Sequence, residues 1–149
     1  MASRAVLDTT VGFHIARAGV VADAAFDLHI GKPHDLRRVD YSLLMLVAAS
    51  ERLAPKDLVQ LLSLSAPKLS MVLDRMQELG FIDRAPNPLD RRSVQVTLTA
   101  QGAKLARSLE PVARRMEQGL KKRLSAADHA ELIRLLRKLA DGPPVKART

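Results

Sequence analysis

The sequence contains no cysteine, which removes disulfides, thiolate zinc sites and thiol-based redox sensing together. No apolar run approaches the roughly 18 residues needed to span a bilayer, because Arg, Lys, Asp or His interrupts every stretch. The first residues, Met1-Ala-Ser-Arg-Ala-Val-Leu-Asp, hold no uninterrupted apolar core of secretory type, so a cytoplasmic protein is expected. A glycine-rich phosphate loop, paired carboxylates and a nucleophile–base set are all missing, and catalysis is not expected. His14, His29, His34 and His129 lie at no recognisable metal spacing, so neither a metal nor a cofactor is expected. Acidic residues are the minority: 24 Lys+Arg against 16 Asp+Glu leave a net charge of +8. Such a field favours a polyanion such as nucleic acid. Net charge alone leaves open a merely solvated basic surface.

What remains is a mainly helical pattern in 149 residues, enough for one domain with a core. About Asp8–Ile30, Phe13, Val20, Val21, Ala24 and Leu28 recur at helical spacing, and Gly31-Lys32-Pro33 reads as a stop. A second helix fits about Arg38–Ser50, dense enough in Tyr41, Leu43, Leu44, Leu46 and Val47 to be buried on most sides. After a break at Glu51–Pro55 a short helix runs to Leu62, then Ser63-Leu64-Ser65 turns the chain. Ser65 is placed to cap a helix reaching about Leu79, with Pro67 in its first turn, Gly80 past its end, and Leu69, Val72, Leu73 and Met76 as its apolar stripe. Strand texture follows. Phe81–Ala85 and Ser93–Thr99 flank a Pro/Asn/Asp/Arg tip, and Val94, Val96 and Leu98 alternate with polar residues. Thr99-Ala-Gln-Gly opens a long helix with Leu105, Leu109, Val112, Met116 and Leu120 in its stripe and Pro111 expected to bend it. Ser125-Ala-Ala-Asp128 is a capping-box pattern opening a last helix that Asp141-Gly-Pro-Pro ends, leaving Val145–Thr149 as an expected frayed tail.

Helix, turn, helix and basic hairpin, in that order over residues 55–99, predict a winged helix-turn-helix with a two-stranded β-wing. One α-helix fits the roughly 12 Å major groove, so polar residues at its N-terminal end meet base edges. Those are Ser65, Pro67, Lys68 and Ser70, with Arg75 a turn or so further on. The tip carries Arg91 and Arg92 towards the neighbouring minor groove. A carboxylate at such a tip repels phosphate unless paired, so Asp90 is expected to brace a guanidinium, with Arg84 on the opposite strand as its partner. A polar turn carrying incidental charge is the plain alternative. Arg114-Arg115 and Lys121-Lys122-Arg123 read as a solvated face of the long helix.

Leu69-Ser-Met-Val-Leu-Asp-Arg-Met-Gln-Glu-Leu-Gly-Phe-Ile-Asp-Arg, then Asp90-Arg-Arg and Leu98-Thr-Ala-Gln-Gly, resembles the signature of the MarR family. The order of elements agrees along about residues 8–141. The resemblance implies a triangular homodimer whose first and last two helices interlock, with two winged lobes on double-stranded, pseudo-palindromic operator DNA. It also implies that Asp90 and Arg92 are the wing pair, Arg92 entering the minor groove. Many relatives carry a basic residue where this chain has Met71 and a small hydroxyl residue where it has Lys68, so the base contacts are expected to be rearranged. The division expected is a DNA-binding lobe over about 38–99 and dimerisation helices over about 8–30 and 100–141.

A dimer is also expected without the family. The stripes of residues 8–30 and 103–140 exceed what a lobe of about 50 residues covers, and a partner chain is the economical cover. Arg17 falls inside the first stripe, where a guanidinium needs a partner. It either pairs with Asp23 or Asp27 of the other subunit or grips a ligand carboxylate, with His14 and Tyr41 lining the same cavity. The resemblance supports the second alternative, since many members bind aromatic carboxylates or phenolic compounds between dimer helices and lobes and then release DNA. The expected function is therefore a repressor released by a small aromatic acid. The competing class is a constitutive architectural or RNA-binding winged-helix protein with no effector.

Overall fold

The computed structural model describes residues 4–50 and 52–143; the expected C-terminal tail, Val145–Thr149, lies outside them. A short helix α1 (Arg4–Asp8) precedes α2 (Val11–Phe26). The helical path does not stop at Gly31-Lys32-Pro33. It widens into a π-helical turn over Asp27–Gly31 and closes with a last α-helical turn over Lys32–His34. Proline has no N–H to give to a carbonyl four residues back, and a widened turn accommodates that loss. Here the Lys32 N–H reaches the Asp27 carbonyl instead. The helix ends at Asp35, in the left-handed region at φ 51°. There the Leu36 N–H returns to the Gly31 carbonyl, a Schellman closure without glycine. Gly31 acts through its size: a Cβ there would lie 3.0 Å from Asp27 and 3.1 Å from the Phe26 ring.

α3 (Arg38–Ala49) buries Leu43, Leu44 and Val47, as its sequence density requires. α4 (Pro55–Leu62) starts with Pro55 in its first turn and the Asp57 carboxylate accepting from the Ala54 N–H at 3.0 Å. It closes at Ser63, also left-handed at φ 52°. α5 (Ala66–Glu78) buries Leu69, Val72, Leu73 and Met76 and closes at Gly80, φ 77°. Ser65 occupies the N-cap position, but its hydroxyl makes no capping bond. One of the two amides a cap normally takes belongs here to Pro67, which has no N–H.

β1 (Ile82–Asn87) and β2 (Asp90–Leu98) pair antiparallel, Ile82 opposite Leu98 and Asn87 opposite Asp90, with an irregularity after Pro86. The strands run further than their alternation suggests, and the tip contracts to Pro88-Leu89. A third backbone joins the root of this hairpin: the Val96 N–H donates to Leu53 at 2.9 Å, so the break after α3 serves as a single-residue strand. α6 (Ala100–Lys121) passes through Pro111 as one helix, and α7 (Ala126–Ala140) opens on the expected capping box. The Asp128 N–H donates to Ser125 Oγ at 3.0 Å and the Ser125 N–H to the Asp128 carboxylate at 3.4 Å.

The core is one cluster running from Phe26, Ile30 and Leu36 through α3, α4 and α5 to Ile82, Val96, Ala106 and Leu109. The terminal elements stand outside it. α1 and α7 bury nothing, and Val20 on α2, Leu28 in the π-helical turn, and Leu132, Leu135 and Leu139 on α7 are exposed. Among the described residues no helix is long and apolar enough to cross a membrane.

Candidate nucleic-acid interface

With about 100° between successive residues, the core stripe of α5 fixes its outer face. Pro67, Met71, Asp74 and Glu78 lie opposite Leu69, Val72, Leu73 and Met76, with Lys68 and Arg75 on one flank and Ser70 on the other. Ser65, Pro67, Lys68 and Ser70 are all exposed. They surround a helix N-terminus whose free N–H groups suit a phosphate or a base-edge acceptor. Four of the five residues expected on the reading end are thus available to a ligand.

Arg75, the fifth, is engaged elsewhere. Its Nε donates to Asp40 at 3.2 Å and its Nη2 to the Asp35 carbonyl at 3.1 Å. The partner lies 35 residues back at the start of α3, so spacing along α5 could not reveal it. Asp40 is fully buried and accepts on three sides, from the Arg37 backbone N–H at 2.9 Å, from Arg37 Nε and Nη2 at 2.9 and 2.7 Å, and from Arg75. Burial is the largest single influence on this carboxyl and pushes its pKa up. The bonds from Arg37 and Arg75 together outweigh it and hold the group below its usual value. Arg75 therefore fastens α5 to the first turn of α3.

Arg84 does not brace Asp90. It donates to Asp74 at 2.6 Å and to Gln77 at 2.7 Å. The register explains why: Arg84 stands opposite Val96, whereas Asp90 stands opposite Asn87, three residues or about 10 Å further along the strand. Asp90 instead accepts from the Arg92 backbone N–H at 3.0 Å, and its carbonyl accepts from Ser93 Oγ at 3.0 Å. Asn87 Oδ1 holds the Leu89 N–H at 2.9 Å. The wing tip is thus fixed by side-chain-to-backbone bonds, which leaves the exposed Arg91 and Arg92 side chains to project from β2. At the wing root Thr99 Oγ1 donates to the Gly80 carbonyl at 2.6 Å and accepts from the Gly102 N–H at 3.0 Å. A Cβ on Gly102 would lie 1.9 Å from the Phe81 carbonyl oxygen. Leu98-Thr-Ala-Gln-Gly is therefore the joint between wing and α6.

The three residues expected to hold an effector are not brought together within one chain. Arg17 is exposed on α2, its guanidinium 5.6 Å from the centre of the Phe13 ring. His14 Nε2 lies 2.9 Å from the Asp8 carbonyl. Tyr41 lines a separate open cleft of about 240 Å³, between α2, α3 and α6, with Ala22, Phe26, Arg38, Ser42, Met116 and Glu117 among its walls. Arg38, which sequence reasoning missed, supplies its cation. That guanidinium sits 5.3 Å from the centre of the Phe26 ring and is paired with Asp23. Tyr41 meets Phe26 edge-on, ring centres 5.7 Å apart. Burial first, then Glu117 and Glu110, raise the Tyr41 pKa, so its hydroxyl stays a hydrogen-bond donor at neutral pH. Among the described residues no cluster of His, Asp or Glu could hold a metal ion.

Two helices joined by a tight turn, the second presenting a polar N-terminal end beside a basic two-stranded wing, define the winged helix-turn-helix class of DNA-binding proteins. The sequence model of the MarR family matches residues 34–93. The multiple antibiotic resistance protein MarR of Escherichia coli (strain K12) is 32% identical over 108 residues, covering 72% of this chain and 75% of that protein. A mutant of E. coli MarR solved in complex with operator DNA superposes with a TM-score of 0.77 at 29% identity, covering 87% of this chain and 92% of the other. The PcaV transcriptional regulator of Streptomyces coelicolor, solved with its natural ligand, has the same fold, with a TM-score of 0.82 at 23% identity over 91% of this chain and 95% of that one. This chain belongs to the MarR family of DNA-binding transcriptional regulators.

Proposed function

We propose that the protein is a homodimeric repressor that reads a pseudo-palindromic operator through α5 and the wing and leaves it when a small aromatic acid occupies the Tyr41 cleft. Residues 38–99 serve as the DNA-reading lobe, and 8–30 with 100–141 join the two chains. The exposed apolar faces of α2 and α7 are what the dimer covers. Ser65, Pro67, Lys68 and Ser70 meet the major groove, while Arg91 and Arg92 reach the minor groove or its phosphates.

The observation that carries the effector part is Arg38 beside Tyr41 and Phe26 in a cleft between the dimer helices and the lobe. An arginine grips a carboxylate bidentately, and two aromatic rings suit a flat body. Because Arg38 is paired with Asp23, an incoming acid competes with the tie between α2 and α3. A ligand shifts an equilibrium only by its differential affinity for the two states. Breaking that tie supplies such a difference. Among proteins of the same fold, PcaV was solved with its natural ligand, and regulation of DNA binding by 6-hydroxynicotinic acid is described for BpsR of Bordetella bronchiseptica.

Thermal melting of the purified protein against benzoate, hydroxybenzoates and hydroxycinnamates tests this. A binder at a hundredfold excess over its Kd stabilises the folded state by about 2.7 kcal/mol, and Arg38→Ala should erase the shift. A panel with no shift would sink the acid effector while leaving the DNA assignment intact.

A further inference from the structure

We propose that Met71 is a base-reading residue whose side chain packs against the 5-methyl group of a thymine in the major groove, so that each half-site carries an A·T pair facing the second turn of α5. This rests on the assignment of α5 as the reading helix. Met71 is 69% exposed and lies at the centre of the face opposite the core stripe, between Pro67 one turn before it and Asp74 one turn after. The fold has no use for it there, since the core contacts of α5 are made by Leu69, Val72, Leu73 and Met76. Its flanks are polar: Lys68 and Ser70 are both exposed. Asp74, which would otherwise push phosphates away, is paired with Arg84. The middle of the reading face is therefore an apolar, flexible side chain in a setting that admits the duplex.

The chemistry of the groove selects its partner. Base edges there display hydrogen-bond donors and acceptors, and the thymine methyl is their apolar group. A thioether is only a weak acceptor, so Met71 over a guanine, cytosine or adenine edge would cover polar atoms without satisfying them. Over a thymine methyl it buries apolar surface on both sides and adapts its three rotatable bonds to the methyl position.

The test uses duplexes selected from a random-sequence pool by the purified full chain, with each thymine of one half-site replaced in turn by uracil, which deletes only the methyl. Wild-type protein is expected to lose about fourfold in affinity at one thymine, the value of one buried methyl-sized group. Met71→Ala, a change on an exposed helix face, should bind the thymine and uracil duplexes equally at that position. An enriched site whose affinity ignores the methyl everywhere would overturn this proposal alone, as would a thymine preference undiminished in Met71→Ala. A pool in which nothing is enriched would overturn the assignment of α5 as the reading helix and this proposal with it.

Discussion

At the residue scale, two residues set the geometry without touching DNA. Asp40 is the one buried acid among the described residues, and it gathers Arg37 and Arg75. Its folded-state pKa is depressed, so the stability it gives is complete above its ordinary value of 3.8 and is lost as the pH falls through the lower folded value. Urea midpoints should therefore drop between about pH 5 and pH 2 in wild type, and drop less steeply in Asp40→Asn. At neutral pH that variant should be destabilised by about 1–3 kcal/mol, because charge-assisted bonds to a buried acceptor are weakened. An unchanged acid profile would show that Asp40 is not the group responsible. Gly102 acts through space alone. Since its Cβ would sit 1.9 Å from a backbone oxygen, which has no flexible end to swing aside, Gly102→Ala should lower the melting temperature by many degrees, a loss of roughly 3 kcal/mol or more. A melting temperature within two or three degrees of wild type, by calorimetry, would contradict the close approach at the wing joint. The sequence made Gly102 visible as part of a motif, but its reason, a carbonyl 21 residues back, belongs to the fold.

At the element scale, local chemistry was readable where it acts within a few residues. The α5 stripe and the Ser125–Asp128 box depend on spacing and form as expected, whereas the alternation of Val94, Val96 and Leu98 does not give one buried face: Val96 is buried, Leu98 half-buried and Val94 exposed. Helix ends closed by Asp35 and Ser63 were not readable as such, because left-handed residues other than glycine carry no strong local mark. Gly31-Lys32-Pro33 misled for the opposite reason: its residues are strong breakers, yet a widened turn absorbs them. Long-range ion pairs were the other blind spot. Arg75 lies on α5 and Arg84 on β1 next to it, and only the tertiary structure shows that each is spent on an aspartate. This gives Arg84 a testable role. Arg84→Ala should weaken operator binding about tenfold by leaving the Asp74 carboxylate bare near phosphates, an effect of about 1.4 kcal/mol. Adding Asp74→Asn should restore most of it in fluorescence-anisotropy titrations. Failure of that rescue would mean that Arg84 contacts DNA itself. Arg92→Ala, by contrast, should weaken binding with no such rescue and lower the salt slope by about one.

At the scale of the whole molecule, the distribution of apolar surface separates two tasks. The core binds α3, α4, α5 and the wing to one end of α2 and the first half of α6, whereas α1, the outer face of α2 and α7 are left uncovered. The stripes read from the sequence match the uncovered surface on α2 and α7 but not on α6, whose Leu105, Leu109, Val112 and Met116 lie in or against the core. The sequence left the candidate effector site half legible. Tyr41 lines a cleft, but one that it does not share with Arg17 and His14, and Arg38 supplies the cation there. Helical spacing locates a residue on a face and does not say which neighbouring helix that face meets. Leu136→Asp on α7 should convert the dimer to monomers or aggregates by light scattering; an intact dimer would remove α7 from the interface.

The central claim is that occupation of the Tyr41 cleft and operator binding exclude each other. The direct measurement is the anisotropy of the selected operator duplex with wild-type protein, at rising concentrations of the acid that gives the largest thermal shift. The apparent Kd for DNA is expected to rise at least tenfold, a coupling of about 1.4 kcal/mol, while Arg38→Ala protein stays bound. An operator affinity unchanged at saturating acid would contradict it.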